Sequence, residues 1–282
     1  MDKNIYDRTG IAAVSDLTSP AHFELFKVLE NAQSEFLSKQ HLFLSPEYIW
    51  PRDPLHTWSR VWEYPYTYHH LRNWRSAWRS ERLPVVADIG SGVTFFPFLI
   101  ARLGCQVICL DTDPVCQRDL NQATLHMAPT PGQLGFKLID GIKLELADES
   151  CDAVYCVSVL EHIPNFRDTI REIARILKPG GIFVLTVDLD LQGNSEIRVE
   201  RYSELLEGLL ENFDFLFPDG TIHPADVLDS TKGPYPILRP GHRKRLSHLI
   251  RQKLVRRLLG RPPKTLGQYY LAVQGFALKS KL

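Results

Sequence analysis

The chain lacks several features that mark membrane, secreted and metal-binding proteins. No apolar run approaches the roughly 20 residues that span a bilayer, and the opening sequence, M-D-K-N-I-Y-D-R, has no apolar signal-peptide core. The five cysteines include no C-x-x-C pair, the spacing common in metal and redox sites. These absences predict a cytoplasmic protein with buried structural thiols and no metal site.

Internal repeats and low-complexity tracts are also absent. At 282 residues and 44% hydrophobic content, the chain is long enough for one α/β domain plus an accessory element. All five tryptophans lie between residues 48 and 78, which favours an aromatic-rich helical cap over residues 1–80. The core then spans 81–282, with an insertion at 218–267.

The formal net charge of zero conceals an uneven distribution. Residues 239–264 contain ten Lys or Arg and no Asp or Glu, and within them 242–259 has the leucine spacing of a helix. Such a basic helix suits an anionic membrane surface or an acidic partner protein, with nucleic acid a less favoured partner. The alternative is that its leucines pack on the core and its arginines are solvated. The oligomeric state stays open.

The segment V-V-A-D-I-G-S-G-V-T-F-F-P, residues 85–97, predicts a strand, a glycine turn and a helix. Its start is the apolar, β-branched run expected of a parallel strand buried on both faces. Gly90 and Gly92 allow a tight turn and a close approach to a ligand, and the helix that follows points free N–H groups at the same place. Taken alone, the turn could equally serve only to pack the helix on the strand.

A second strand, 106–110, ends in Asp111, the position where an open α/β sheet places an acid on ribose hydroxyls. The dinucleotide fingerprint needs a third glycine where this chain has Phe95, so a nicotinamide or flavin enzyme is disfavoured. Strand and helix patterns then alternate along the chain. The other predicted strands are 135–139, 152–157, 182–187, 213–217 and 268–278, and the predicted helices are 22–40, 95–103, 114–127, 166–178, 200–212 and 242–259.

Together these segments resemble the class I S-adenosylmethionine-dependent methyltransferases. The likeness spans about residues 84–187 and includes Asp140-Gly141, the run C-D-A-V-Y-C-V-S-V-L-E-H at 151–162, and K-P-G-G before the fifth core strand. It implies an α/β fold with a doubly wound, mostly parallel, seven-stranded Rossmann-like sheet and an antiparallel last strand at the edge. One departure is Thr94, where the family usually has glycine. Because a β-branched residue disfavours positive φ, the turn is expected to close differently around the methionine portion of the cofactor.

The resemblance implies S-adenosylmethionine as the cofactor and gives each candidate binding residue a role. The methionine end of the cofactor would be held by Asp88, Gly90, Ser91 and Gly92, and the ribose by Asp111. The adenine would lie between Thr112 and the pair Asp140 and Gly141, and Ser158 would close the far side of the cofactor site. Separately, Glu63 and Tyr64 could reach over the sulfonium, where a carboxylate and an aromatic face suit a cation. A purely structural role in the cap is the alternative for these two.

Glu161 and His162 follow the strand at 152–157 and are the candidate catalytic residues. His162 could take a proton from an acceptor hydroxyl; the alternative is that the pair braces the loop. The chain lacks the Asn/Asp-Pro-Pro-aromatic motif of base and amide methyltransferases and the Pro-Cys of cytosine C5 enzymes. The resulting hypothesis is in-line methyl transfer to oxygen, nitrogen or carbon of a small-molecule or lipid-like acceptor. A non-catalytic cofactor-binding scaffold and an RNA-modifying enzyme are the alternatives.

Overall fold

The computed structural model describes residues 4–127, 132–141, 143–191, 197–237 and 270–281. The basic segment 239–264 and the predicted helix 242–259 lie outside these residues. None of the helices in the described ranges combines the length and the apolar character needed to cross a bilayer.

A mixed β-sheet forms the centre of the described structure. Its strands are β1 (Gly10–Ile11), β2 (Val85–Ile89), β3 (Gln106–Asp111), β4 (Gln133–Leu138), β5 (Cys151–Val157), β6 (Leu177–Asp190), β7 (Phe213–Phe215) and β8 (Leu271–Ser280). Their order is β1-β8-β6-β5-β2-β3-β4, with β7 also paired to β8. β2 to β6 pair in parallel, whereas β8 runs antiparallel to β6. The doubly wound, mostly parallel sheet with an antiparallel last strand is therefore confirmed.

Three details of the predicted sheet are wrong. Within the described ranges it has eight strands rather than seven, because Gly10–Ile11 adds β1 antiparallel to β8. The last strand is not the edge, since β1 and β7 both pair with the outer side of β8. Finally, β6 begins at Leu177 rather than at residue 182, because the K-P-G-G run belongs to the strand instead of separating it from the preceding helix.

Helices accompany the strands largely where the sequence predicts them. They are α1 (Pro20–Lys39), α2 (Arg60–Ser76), α3 (Phe96–Arg102), α4 (Pro114–Met127), α5 (Phe166–Ile176) and α6 (Val199–Asn212). The start of α1 is fixed by Ser19, whose side chain accepts a hydrogen bond of 3.1 Å from the backbone N–H of His22. The start of α4 is fixed in the same way by Asp113, which accepts the N–H of Val115 at 2.8 Å. Of these six described helices, α2 lies within the predicted helical cap but at a position where no individual helix was predicted.

The two faces of the sheet bury separate apolar clusters. Successive side chains of one strand alternate between them, so that Val86 joins one cluster and Ala87 the other. The first cluster includes side chains of α1 to α4, and the second includes those of α5 and α6. Because both faces are covered, the parallel strands read as continuous apolar runs. All five cysteines are buried free thiols, as predicted.

Helix α2 connects the N-terminal cap to the sheet. Every residue from 61 to 71 is buried. A Cβ at Gly275 of β8 would lie only 2.8 Å from ring atoms of Trp62 and Tyr66, so this close approach requires glycine. The indole Nε1 of Trp62 donates to Asp16 Oδ2 at 2.7 Å, which ties α2 to the segment before α1. The cap and the core therefore share one apolar interior.

Candidate active site

A cavity of about 950 Å³ lies beyond the carboxyl ends of the parallel strands, the usual ligand position in an open α/β sheet. One side is formed by the ends of β2, β3 and β5, the loops after them and after β4, and part of β6. The other side is formed by residues of the 48–64 segment together with Tyr235 and Ile237. Its size is that of a small-molecule site.

Most of the predicted site residues meet at this cavity, although they are far apart in the sequence. Those that line it are Tyr64, Asp88, Gly90, Ser91, Gly92, Asp111, Thr112, Gly141, Ser158 and His162. Asp140 is exposed and does not line the cavity, whereas its neighbours Ile139 and Gly141 do. Glu63 and Glu161 are buried outside the lining. For Asp140, Glu63 and Glu161, the structure thus differs from the predicted direct contact with a bound molecule.

The turn after β2 depends on its two glycines. Gly90 and Gly92 have φ values of +69° and +54°, which favour residues without a Cβ. A Cβ on Gly90 would also lie 2.5 Å from the side chain of Val159. Tyr48 holds the turn from the cap side, because its hydroxyl accepts the N–H of Val93 at 3.1 Å. The backbone of the turn is therefore open to the cavity and rigidly placed.

Thr94 lies between the glycine turn and α3. It is not among the described residues that have positive φ, and its hydroxyl accepts the N–H of Phe96 at 3.4 Å. The ring of Tyr64 stacks on Phe96 with the ring centroids 4.6 Å apart. Burial raises the pKa of Tyr64 to about 12, so its hydroxyl stays protonated at neutral pH. The cap thus packs directly on the helix that the glycine turn begins.

Asp111, at the end of β3, is oriented by backbone amides. Its Oδ2 accepts the N–H of Gly92 at 2.9 Å, and its Oδ1 accepts the N–H of Asp113 at 3.0 Å. Each carboxylate oxygen has further acceptor capacity. The carboxylate is therefore held at the cavity wall in a position to accept hydrogen bonds from hydroxyl groups of a ligand.

Asp88 places a second carboxyl group at the cavity from inside β2. It is 5% exposed. Burial raises the pKa of Asp88 to about 8; the Tyr155 hydroxyl beside it opposes the rise, and the charge of Asp111 adds to it. Much of this carboxyl group is therefore protonated at pH 7 in the ligand-free protein, whereas a cation in the cavity would favour its ionised form.

Ser158 joins the loop after β5 to the cap. Its φ of +48° is unusual for a residue with a side chain, and such strain costs on the order of 1–3 kcal/mol, which the surroundings have to supply. The Ser158 hydroxyl donates to Glu63 Oε1 at 2.5 Å. Glu63 is fully buried and its other carboxylate oxygen pairs with Arg60, which lines the cavity. Glu63 therefore acts as a bridge between the cap and the core loop.

Comparisons with known proteins agree with this architecture. The profile of a methyltransferase domain matches residues 87–185. A ubiquinone biosynthesis O-methyltransferase from Xanthomonas oryzae pv. oryzae is 34% identical over 127 residues, which are 43% of this chain and 52% of that protein. An uncharacterized methyltransferase from Mycobacterium leprae is 31% identical over 120 residues, 42% of this chain and 43% of that protein. The chain spans about half the length of the curated relatives it matches.

Two solved structures share the fold. The [4+2]-cyclase SpnF superposes with a TM-score of 0.53 at 16% identity, covering 98% of this chain and 100% of that one. YcgJ from Bacillus subtilis superposes with a TM-score of 0.51 at 17% identity, covering 76% of this chain and 99% of that one. Residues 87–185 therefore match a methyltransferase domain, and the chain resembles the class I S-adenosylmethionine-dependent methyltransferases. At such low identities, these two likenesses show the fold alone.

Within this methyltransferase fold, Glu161 and His162 have different surroundings. Both lie in the short 3-10 turn Leu160–His162 after β5. His162 is exposed and lines the cavity. Glu161 is 3% exposed, and its Oε1 accepts the backbone N–H of Asp188 in β6 at 3.0 Å. Burial raises the pKa of Glu161, and the same burial, outside the cavity lining, keeps its carboxyl group from direct contact with a bound molecule. This geometry favours a structural role for Glu161, which links the turn after β5 to β6, and it leaves His162 within reach of a bound molecule.

The wall of the cavity opposite the glycine turn was not predicted from the sequence. That wall contains Trp50, His56, Trp58, Tyr235 and Ile237. His56 is oriented through Nδ1, which lies 2.8 Å from an oxygen of Asp53, and the His56 ring lies 5.1 Å from the ring of Tyr235. The high density of tryptophans between residues 48 and 78 was the sequence feature from which this part of the wall could have been predicted. Tyr235 and Ile237 belong to the insertion, whose proline-rich composition has no periodic pattern to interpret.

Proposed function

We propose that the chain transfers a methyl group from S-adenosylmethionine to an oxygen atom of a small, apolar or aromatic acceptor. The observation that supports this most is that one cavity joins the glycine turn and Asp111 to an aromatic wall of the cap. A cofactor on the first side and an acceptor on the second would meet within a single enclosed space. The cavity of about 950 Å³ lies at the upper end of the size range of small-molecule sites, which suits a cofactor and an acceptor bound side by side.

The cofactor side suits an adenosyl sulfonium. The carboxyl groups of Asp88, Asp111 and Asp188 line the cavity, and negative groups attract a sulfonium and an α-ammonium group. The turn at Gly90 and Gly92 presents backbone without a Cβ, which allows close approach of the methionine portion. When bound, S-adenosylmethionine supplies a methyl group that is already activated by its positive sulfur. The residues present therefore fit this cofactor.

The acceptor side suits an apolar ring system. Trp50, Trp58, Tyr235 and Ile237 offer a mostly apolar surface with flat faces. The name of the Xanthomonas relative, a ubiquinone biosynthesis O-methyltransferase, refers to an oxygen acceptor. His162 lines the same cavity and would take the proton of an acceptor hydroxyl as the new carbon–oxygen bond forms. The other lining residues would orient the acceptor and exclude water.

The experiment combines cofactor binding with turnover. Calorimetry with S-adenosylmethionine measures binding, and release of S-adenosylhomocysteine with a panel of hydroxylated aromatic compounds measures transfer. Asp111→Asn should weaken cofactor binding by more than about tenfold, since it removes a charged acceptor. Asp214→Asn, on the exposed face of β7, is the matched control and should bind normally.

Each result decides between the proposed activity and its alternatives. Absence of binding in the native protein, or equal binding by both variants, would contradict the proposal. Cofactor binding without turnover of any acceptor would favour the non-catalytic scaffold. Turnover on RNA that is lost when Arg243, Lys244 and Arg245 are neutralised would favour the RNA-modifying alternative. The partners suggested for residues 239–264 stay predictions.

A further inference from the structure

Arg60 brings a permanent positive charge to the cavity. Among the described residues that line the cavity, it is the single Lys or Arg. Two histidines also line it, but a guanidinium stays charged at any physiological pH and offers several N–H donors in one plane. The other charged groups of the lining are carboxyl groups, those of Asp88, Asp111 and Asp188. An anionic group of a ligand would therefore be drawn to Arg60.

The guanidinium is held in place but keeps donors for a ligand. Arg60 is the first residue of α2, and its side chain is 24% exposed. Its Nη1 donates to the hydroxyl of Ser59 at 3.2 Å and to the buried carboxylate of Glu63. Both hydrogen bonds from this side chain to described residues come from that one nitrogen, so Nε and Nη2 remain for a ligand. Because Glu63 is fixed in turn by the Ser158 hydroxyl, the direction of the guanidinium is set by the core loop.

Arg60 lies between the loop after β5 and the glycine turn. Residues four apart on a helix share one face, so Arg60 and Tyr64 project from the same side of α2, and both line the cavity. Tyr64 stacks on Phe96 of α3, the helix that follows the glycine turn. In the other direction, Glu63 connects Arg60 to Ser158 after β5. This is the part of the cavity to which the proposed function assigns the methionine portion of the cofactor.

The glycine turn has already used its own amides. The N–H groups of Gly90 and Ser91 donate to a carbonyl of β3 at 2.8 and 3.2 Å. Those of the next two residues donate to the carboxylate of Asp111 and to the hydroxyl of Tyr48, at 2.9 and 3.1 Å. A carboxylate that approaches the turn therefore finds none of these four donors free. It needs a donor, and a balancing charge, from another element.

We propose that Arg60 binds the α-carboxylate of S-adenosylmethionine through the donors that Glu63 leaves available. The assignment rests on the proposed function and adds a cofactor-binding residue from the cap. A planar guanidinium and a carboxylate match in shape and can form two parallel hydrogen bonds. The α-ammonium and sulfonium groups would then face the carboxyl groups of the lining, so that each charge of the cofactor meets an opposite charge. In this arrangement Glu63 is a positioning residue for Arg60.

The test compares S-adenosylmethionine with decarboxylated S-adenosylmethionine, which lacks only the carboxylate, in calorimetric titrations of the full chain. Arg60→Gln should weaken binding of S-adenosylmethionine by more than about tenfold, because a charge-assisted contact is lost. The same variant should change binding of the decarboxylated compound by less than about twofold, since that ligand has no group for Arg60 to bind. Arg72→Gln, at an exposed position of the same helix, is the control and should bind both ligands like the native protein.

Arg60→Lys keeps a positive charge beside Glu63, so it tests the contact without leaving that buried carboxylate unpaired. Because an ammonium lacks the planar fork, its affinity for S-adenosylmethionine should lie between those of the native protein and Arg60→Gln, with binding of the decarboxylated compound again unchanged.

The contrary results are distinct from one another. Equal losses for the two ligands in both Arg60 variants would overturn the assignment, because a change in cavity shape affects both ligands alike. Unchanged cofactor affinity with a raised KM for the acceptor would also overturn it and would assign Arg60 to the acceptor. In both cases the native protein still binds S-adenosylmethionine, so the proposed methyl transfer survives. Absence of binding by the native protein would instead remove the proposed function, and this assignment with it.

Discussion

Binding of S-adenosylmethionine is expected to weaken as the pH falls below 8, because a proton has to leave Asp88. Burial raises the pKa of this carboxyl group to about 8 in the ligand-free protein. A sulfonium or α-ammonium group beside it favours the ionised form. The proton and the cation therefore compete for the same carboxylate, and acidification favours the free protein.

The magnitude follows from the pKa of Asp88. With a ligand-free pKa of about 8 and a much lower pKa in the complex, the apparent Kd rises by up to tenfold for each pH unit below 8. Between pH 8.5 and pH 6.5, the affinity should fall about 25-fold, or about 2 kcal/mol. At pH 7, complex formation should release roughly 0.9 proton.

Calorimetry across this pH range measures both quantities, since titrations in buffers with different ionisation enthalpies count the protons released. Asp88→Asn is the comparison, because an amide of the same shape has no proton to lose. Ionisation of the cofactor itself is common to both proteins and cancels between them. The native protein should show the steeper pH dependence. Parallel profiles for the two proteins, or no difference in proton release, would refute the reasoning.

Three further changes have defined outcomes. Gly90→Ala places a Cβ 2.5 Å from the side chain of Val159, at a backbone φ of +69° that favours glycine. Cofactor affinity and melting temperature should therefore both fall. Gly135→Ala is the control and should change neither, because nothing lies within 4 Å of its added Cβ. His162→Gln should lower the turnover of a hydroxyl acceptor by about 100-fold with little change in cofactor Kd, as measured by S-adenosylhomocysteine release. Asp152→Asn should lower the free energy of unfolding in urea by about 2 kcal/mol, since Arg82 donates two hydrogen bonds of 2.6 Å to this buried carboxylate.

Each of these outcomes has a contrary result. Equal behaviour of the two alanine variants would show that the glycine turn tolerates a side chain. Turnover that is unchanged in His162→Gln would remove this residue as the proton acceptor. Unfolding of Asp152→Asn at the native urea midpoint would show that solvent screens the ion pair to Arg82 completely.

The alternating strands and helices could be predicted because their causes are local. Val85, Val86, Ala87 and Ile89 are apolar, as suits a strand with both faces buried. Ser19 and Asp113 accept hydrogen bonds from the first turns of their helices. The position of helix α2 within the predicted helical cap could not be predicted. Every residue from 61 to 71 is buried, so no polar face creates a 3.6-residue period, and the internal Pro65 argues against a helix.

The part of the candidate site that could be predicted is the part formed by residues at the ends of the parallel strands. Parallel strands bring Asp88 and Asp111 to one edge whatever their neighbours are. Asp140 is different, because it lies in the loop after β4, whose path the sheet does not determine, and its neighbours Ile139 and Gly141 line the cavity instead. Likewise, the contact of Ser158 with Glu63 depends on the placement of α2, which no local pattern shows.

Helix α2 places residues of the cap at the cavity. Its first turns carry Arg60, which lines the cavity, and Glu63, which holds the strained Ser158. Its later turns carry His69 and His70, which meet the N-terminal segment. A buried helix is costly to move because its apolar surface would meet water, so both groups are placed by one rigid element. The exposed residues of the cavity lining, which include Trp50, Thr112 and His162, are therefore the part of the cavity wall that solvent reaches without moving this helix.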